Sequence, residues 1–289
     1  RPVLADFDAG TGEITLYVST QMPHVSRLDL AMALGMPVSH VRVVCPAMGG
    51  AFGGKENMLP EYLCAAVASI ALGVPVRWVE DRREALIAGS QAKEAECELE
   101  TAMSADGDLL AMRSRFRSDS GAYVSGIGAY VEFIVAAHTI PGLYALPAYA
   151  YEASAVLTSK APLSAYRGVG MTVSQLVREV ALDEAARGAG IDRMELRRRN
   201  MIADGPWRNV MGEEYEPGSW RSAFTRALEL IDYTGFLDVQ RAARAERRLL
   251  RLGVSPFVEP GAFGHTDTPA ATPHTLHDRP TRNLDISGN

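Results

Sequence analysis

Met48-Gly49-Gly50-Ala51-Phe52-Gly53-Gly54-Lys55-Glu56 is the stretch on which the reading of this chain turns. It lies between a β-branched run, Val41 to Cys45, and an apolar run of helical character, Leu59 to Ala71. Glycine allows backbone angles that a Cβ forbids and lets a main chain come close to a ligand. A loop this rich in glycine, placed where a helix opens, turns several backbone N–H groups toward whatever lies above it. Such a loop suits an oxygen-rich or anionic ligand.

Gly49 to Lys55 fits the Gly-x-x-x-x-Gly-Lys spacing of a phosphate-binding P-loop, and strand–loop–helix is the right setting for one. A P-loop follows its lysine with Ser or Thr, whose hydroxyl helps hold magnesium. Here Glu56 follows Lys55, and its carboxylate would repel the phosphates while offering no hydroxyl. Nucleotide binding is therefore the weaker of two readings, and the chain around the loop has to supply the other.

With 47% hydrophobic and 22% charged residues among 289, the chain has the apolar material for a substantial core and for two lobes. A net charge of -6 without a concentrated basic face argues against nucleic acid as a partner. No apolar run approaches the ~20 residues of a membrane helix. Cys45, Cys64 and Cys97 form no Cys-x-x-Cys pair, so neither a zinc site nor an iron–sulfur cluster is expected. They read as small core hydrophobes in a reduced, cytoplasmic setting. The chain starts at Arg1 rather than at Met and reads as a piece of something longer.

Toward the N-terminus, Val3 to Phe7 and Ile14 to Ser19 read as strands around the turn Asp8 to Gly12, followed by a helix from Val25 to Leu34. Ala33-Leu34-Gly35-Met36-Pro37-Val38 returns as Ala71-Leu72-Gly73-Val74-Pro75-Val76. Each copy closes a helix on glycine and enters a strand, so a duplicated helix–turn–strand unit is expected.

Toward the C-terminus, strands fill Glu94 to Arg117 around an Asp106-Gly107 turn, and Tyr149 to Leu157 is another. Gly126-Ile127-Gly128 lacks the third glycine of a dinucleotide fingerprint and reads as a loop. Val173, Leu176, Val177 and Val180 recur at helical spacing as one apolar stripe. Glu179 and Asp183, on its flank, read as partners of Arg197, Arg198 or Arg199 rather than as a catalytic pair. Helices from Ile191 to Asn200, Ser219 to Ile231 and Phe236 to Leu250, then a strand from Val254 to Glu259, precede a patternless stretch. In that stretch, residues 260–289, His265, His274 and His277 match no ligand spacing and a disordered or aberrant tail is expected. The expected fold is α+β, mixed sheets with packed helices. Residues 1–160 would form a first α/β lobe and residues 161–259 a helical continuation.

Gly-Gly-x-Phe-Gly-Gly-Lys-Glu resembles the signature of the molybdenum hydroxylases, the family of xanthine dehydrogenase and aldehyde oxidase. Companion motifs follow in order. Ser19-Thr20-Gln21 is similar to the family's upstream Thr-Gln, and Tyr166-Arg167-Gly168-Val169-Gly170 to its downstream Phe/Tyr-Arg-Gly-x-Gly turn. Asp81-Arg82-Arg83-Glu84 and Gly121-Ala122-Tyr123 add weaker matches, and the resemblance runs from about residue 2 to residue 259.

The resemblance implies the N-terminal lobe of a subunit binding molybdopterin, or its cytosine dinucleotide form. Gln21 would hydrogen-bond an oxo ligand of molybdenum, and Gly50, Ala51, Phe52 and Gly53 would form the loop over the metal. The N–H groups of Phe52 and Gly53 would face cofactor oxygens, while Arg167 and Gly168 would bring main chain to the metal. Gln21, Phe52 and Arg167 would thus surround the metal's own ligands. Val169 would line the substrate pocket. Glu56 would contact the substrate, unless it caps the following helix instead.

The chemistry implied is hydroxylation of a carbon beside nitrogen or oxygen, with the cofactor carrying the hard step. Electrons would leave through iron–sulfur clusters and FAD on partner domains or subunits. Gly168 stands where carbon monoxide dehydrogenases place cysteine. The segment Glu132 to Ala137 lacks the arginine of purine oxidisers, which leaves aldehydes or non-purine N-heterocycles. The family's general-base glutamate has no match, because Gly10-Thr11-Gly12-Glu13 sits at the wrong end of the chain. A subunit truncated at its C-terminus is expected, with residues past about 264 in a foreign frame. The rival expectation is a non-catalytic assembly fragment of that subunit.

Overall fold

The computed structural model describes residues 1–124, 126, 128 and 130–259. The loop around Ile127 lies partly outside these residues, and the 260–289 stretch with its three histidines lies wholly outside them.

The first strands follow from alternation. In β1 (Pro2–Asp8) Val3 and Ala5 are buried, and in β2 (Glu13–Val18) so are Ile14, Leu16 and Val18, a period of two that covers one face. Gly12 closes the hairpin between them, its φ of 70° allowing its N–H to reach the Asp8 carbonyl at 2.8 Å. The repeated phrase does what its residues dictate. Helices α1 (Pro23–Leu34) and α2 (Pro60–Leu72) each end on a left-handed glycine, Gly35 and Gly73, with φ of 64° and 65°. Strands β3 (Val41–Val44) and β4 (Val76–Val79) then join the hairpin from opposite sides, in the order β3-β2-β1-β4. β3 is parallel to β2 and β4 antiparallel to β1, so β2, β3 and β4 all run the same way. Leu30, Ala31, Tyr62, Ala65 and Ala66 from the two helices complete the core of this sheet.

Asp81-Arg82-Arg83-Glu84 has a structural duty of its own. Asp81 accepts from the Glu84 N–H at 2.7 Å and Glu84 accepts from the Asp81 N–H at 2.8 Å, a capping box that opens α3 (Arg82–Ala88).

A second sheet, β5 (Ala95–Met103), β6 (Leu109–Gly121) and β7 (Tyr149–Leu157), carries charge on its outer face. Glu100, Glu98 and Glu96 lie directly opposite Arg113, Arg115 and Arg117 and pair with them. On the inner face Cys97, Leu99, Met112 and Phe116 join a core that also takes in α4 (Val135–His138), α5 (Val169–Ala189) and α6 (Arg193–Asn200). One core uses residues up to Trp78 and the next runs from Cys97 to Leu196, across the boundary expected near residue 160.

Four expectations need correction. The apolar stripe of α5 is only half of its buried face: Val173 and Val177 pack against the core, but Leu176 and Val180 are 66% and 52% exposed, while Ser174, Arg178, Glu179 and Leu182 are buried. The reason is that Glu179 holds both Arg178 (2.9 Å) and Arg197 (2.8 Å), with the Tyr144 hydroxyl donating to it, so the inward face is polar and paired. The expectation that Glu179 and Asp183 would meet Arg197, Arg198 or Arg199 is itself borne out through Arg197, while Arg198 and Arg199 pair with Glu195 and Asp108. After the hairpin β8 (Gly205–Arg208) and β9 (Glu214–Gly218) and helix α7 (Trp220–Leu230), the last helix is α8 (Tyr233–Ala245), earlier than Phe236 to Leu250. Val254 to Glu259 forms no strand among the described residues. Nor are all the cysteines core residues: Cys64 is exposed and Cys45 half-buried, and only Cys97, also half-buried, packs against a core; all three thiols are free. The fold is α+β with mixed sheets, and no helix among the described residues is long and apolar enough to cross a membrane.

Candidate functional site

Tyr17 of β2 pairs with Val44 of the parallel β3, so both strands leave the sheet at one edge. Ligands of open α/β sheets gather outside such carboxyl ends. β2 delivers Thr20 and Gln21 there, and β3 delivers the glycine loop.

The two segments are tied residue to residue. Gln21 Oε1 accepts the N–H groups of Gly53 at 3.0 Å and Lys55 at 3.3 Å, and the Gln21 N–H donates to the Lys55 carbonyl at 2.9 Å. Two backbone donors identify the oxygen end of the carboxamide. Its Nε2 is left as a donor without a partner among the described residues. The Thr20 hydroxyl also donates to the Lys55 carbonyl, at 3.3 Å, and the Cys45 thiol to the Thr20 carbonyl, at 3.2 Å. Within the loop, Gly54 N–H reaches the Ala51 carbonyl at 2.9 Å and Glu56 N–H the Gly53 carbonyl at 3.1 Å. Phe52 takes a left-handed φ of 55° and is 57% exposed, its ring covering the space a Cβ on Gly50 would need.

The arginine turn closes on this loop. The Arg167 N–H donates to the Phe52 carbonyl at 2.9 Å, and Asn57 Nδ2 donates to Ser164 Oγ at 2.9 Å. A Cβ on Gly53, whose φ is 97°, would run into the Ala165 carbonyl. Gly168 and Val169 follow with φ of 84° and 37° and lead into α5. Gln21, Phe52, Gly53 and Arg167 therefore meet in one hydrogen-bonded chain. Gly50 and Ala51 lie in the same loop, and Gly168 and Val169 in the same turn.

Two expectations about the loop change. Helix α2 opens at Pro60, with Leu59 at its cap and Glu61 in its first turn, so the glycine loop ends before the helix begins. For the same reason the loop amides are not a helix N-terminus, which removes the geometry a P-loop requires. The Gly53 N–H, expected to face a cofactor, is engaged by Gln21; the Phe52 N–H makes no hydrogen bond among the described residues.

Lys93 and Glu132 were missed by the sequence reading. Lys93 Nζ donates to the Val169 carbonyl at 2.8 Å and the Tyr166 carbonyl at 3.4 Å, with the ammonium 5.8 Å from the centre of the Tyr166 ring. Glu132 is 2% exposed, in a π-helical turn (Tyr130–Ile134). Burial raises the pKa of its carboxyl, against the pull of the Lys93 ammonium and of the Tyr166 and Lys93 backbone N–H groups, yet neither oxygen completes a hydrogen bond. Burial likewise lowers the Lys93 pKa, opposed by Glu132 and Glu259. The available signal was that Glu132 is the one acid inside an apolar segment.

The exposed donors here are Gln21 Nε2, the Phe52 N–H and the Arg167 guanidinium. Among the described residues no three His, Cys, Asp or Glu side chains cluster as metal ligands, so a metal at this edge would be carried on a cofactor's own ligands. Neutral N–H donors and one guanidinium around a glycine cradle fit an oxygen-rich cofactor. The fold and this edge define a cofactor-holding lobe.

Comparison with known proteins agrees. The model of the molybdopterin cofactor-binding domain matches residues 1–201. The nicotine 6-hydroxylase large subunit of Paenarthrobacter nicotinovorans is 38% identical over 292 residues, covering 100% of this chain and 36% of that one. The carbon monoxide dehydrogenase large chain of Hydrogenophaga pseudoflava is 34% identical over 263 residues, covering 89% and 33%. The crystal structure of quinoline 2-oxidoreductase from Pseudomonas putida 86 superposes with a TM-score of 0.79 at 37% identity, over 85% of this chain and 32% of that one. The chain belongs to the molybdenum hydroxylase family of molybdopterin-binding oxidoreductases. It spans about a third of the length of these relatives.

Proposed function

We propose that the chain is the cofactor-facing lobe of a hydroxylase that oxidises non-purine N-heterocycles, with aldehydes as the alternative substrate class. The observation that carries this reading is the chain of hydrogen bonds from Gln21 through the Phe52–Gly53 peptide to Arg167. Relatives named for nicotine and quinoline favour the heterocycle. Gly168 departs from the cysteine of carbon monoxide oxidation.

A bound molybdopterin group supplies a two-electron oxidation that places a water-derived oxygen on a carbon beside the ring nitrogen. The residues of this chain orient and bind. Gln21 spends its carbonyl on the loop and so offers Nε2 to a cofactor oxygen from a fixed direction. The Phe52 N–H is a second donor, held by the left-handed turn rather than by solvent, and such prearranged donors need no reorganisation when charge develops. Arg167 is pinned through its main chain, Val169 borders the substrate space and Glu56 faces the substrate. The general base comes from outside this chain, and electrons pass to partner domains or subunits carrying iron–sulfur clusters and FAD, in the reduced cytoplasm.

Substituting Gln21→Leu in the assembled enzyme tests the reading. It removes both the loop acceptor and the cofactor donor, and the expected result is molybdenum content reduced by about tenfold, with dye reduction by quinoline falling in proportion. Wild-type enzyme that carries no molybdenum after maturation in a competent host would sink the proposal. Turnover of benzaldehyde but of no pyridine or quinoline would select the alternative substrate class.

A further inference from the structure

The turn Tyr166–Val169 holds two successive left-handed residues, and the second, Val169, is β-branched. A φ of 37° at a valine is a strained backbone. Such strain persists only where neighbours enforce it. The Val169 N–H bonds back to the Tyr166 carbonyl at 2.7 Å, which closes the turn without fixing it in space. The group that reaches both ends from outside is Lys93, whose ammonium takes the Val169 and Tyr166 carbonyls together. Lys93 is itself left-handed, with φ of 64°, and follows the Gln91 bridge to Leu163, so its own backbone is anchored against the segment that leads into the turn.

We infer that Lys93 is a positioning residue for the cofactor site: its ammonium, held on two carbonyl oxygens at once, locks the Tyr166–Val169 turn. The turn in turn sets the Arg167 N–H against the Phe52 carbonyl, so the lock passes from one cofactor-facing loop to the other. This inference rests on the reading given under Proposed function. A positively charged donor suits the task because it serves two carbonyl oxygens at once, and charge-assisted bonds are stronger than neutral ones.

The test uses the assembled enzyme in Lys93→Met, Lys93→Arg and Lys93→Gln forms, with the surface variant Lys160→Met as control. Three quantities are read: molybdenum per subunit, the thermal midpoint, and amide exchange of residues 164–170 in cofactor-free protein. Lys93→Met is expected to exchange the Arg167 and Val169 amides about tenfold faster and to retain several-fold less molybdenum, at a thermal midpoint close to that of wild type. Lys93→Arg, which keeps a donor for both carbonyls, is expected to recover most of each. Lys93→Gln, which keeps much of the stem and a neutral donor, carries the same test should Lys93→Met fail to fold, and is expected to speed exchange of the same amides. Unchanged exchange together with unchanged molybdenum in Lys93→Met overturns the inference. So does a fall in thermal midpoint with exchange accelerated throughout the chain rather than in the turn. A wild-type enzyme without molybdenum would remove the proposed function, while the exchange comparison would still decide whether Lys93 holds the turn.

Discussion

Gly53 satisfies two demands that no other residue meets together: a φ of 97° and a backbone that touches the Ala165 carbonyl. Gly53→Ala is therefore expected to cost about 1–3 kcal/mol, read as a shift in the urea midpoint, and to separate loop from turn. An alanine variant of wild-type stability would show that the two segments part easily. Tyr62 and Cys97 give the residue scale a dependence on pH. Burial pushes the Tyr62 phenol and the Cys97 thiol each up to about 12. Both folded values lie above the unfolded ones, about 10 for tyrosine and about 8.5 for cysteine. Their contribution is thus fully present below the unfolded values and is lost as pH rises toward about 12. Denaturation midpoints are expected to fall across that alkaline window, and to fall less in Cys97→Ala. A flat profile would contradict the burial of both groups. Cys97 is further expected to react with maleimide more slowly than the exposed Cys64.

Elements are legible where one local rule governs them. The glycine caps of α1 and α2, the alternation of β1 and β2 and the Asp106-Gly107 turn can all be read from neighbours in sequence, since Gly107 takes φ 92° as that turn asks. α5 is different. Its buried face carries Arg178 and Glu179, whose burial is tolerable only because Arg197, eighteen positions on, completes the set. Periodicity of apolar residues cannot register a pairing of that range, so the stripe located Val173 and Val177 against the core but missed the polar half of the buried face. Removing Glu179 leaves the buried Arg178 guanidinium without its anion and Arg197 with Asp183 alone. Glu179→Ala is expected to destabilise by about 3–5 kcal/mol, whereas Glu184→Ala, whose partner Arg187 is exposed, is expected to leave the unfolding midpoint unchanged. Equal effects of the two would mean that the buried network adds nothing.

For the whole molecule, the site motifs could be found in sequence because each is a compact, glycine-marked phrase. Lys93 and Glu132 could not, since one lies 73 positions before the carbonyl it serves at Tyr166 and the other sits in a π-helical turn that apolar content disguised. Cofactor binding should also register globally. A ligand that binds only the folded state at about 100 times its dissociation constant adds about 2.7 kcal/mol, or roughly 5–10 °C for a domain of this size. Enzyme matured with and without molybdopterin is expected to differ by that amount in calorimetry; identical melting curves would place the cofactor elsewhere.

The duplicated unit has an engineering consequence. Because β4 runs the same way as β3, its downstream end emerges on the rim already occupied by Gln21, but it leads into the capping box of α3 instead of a cradle. Three strand spacings, about 14 Å at the usual separation, divide the two exits. Transplanting the nine residues Met48 to Glu56 behind Val79 would thus give one molecule a furnished and an orphaned copy side by side, the second lacking any glutamine to brace it. Comparing them would isolate what the glycines contribute alone.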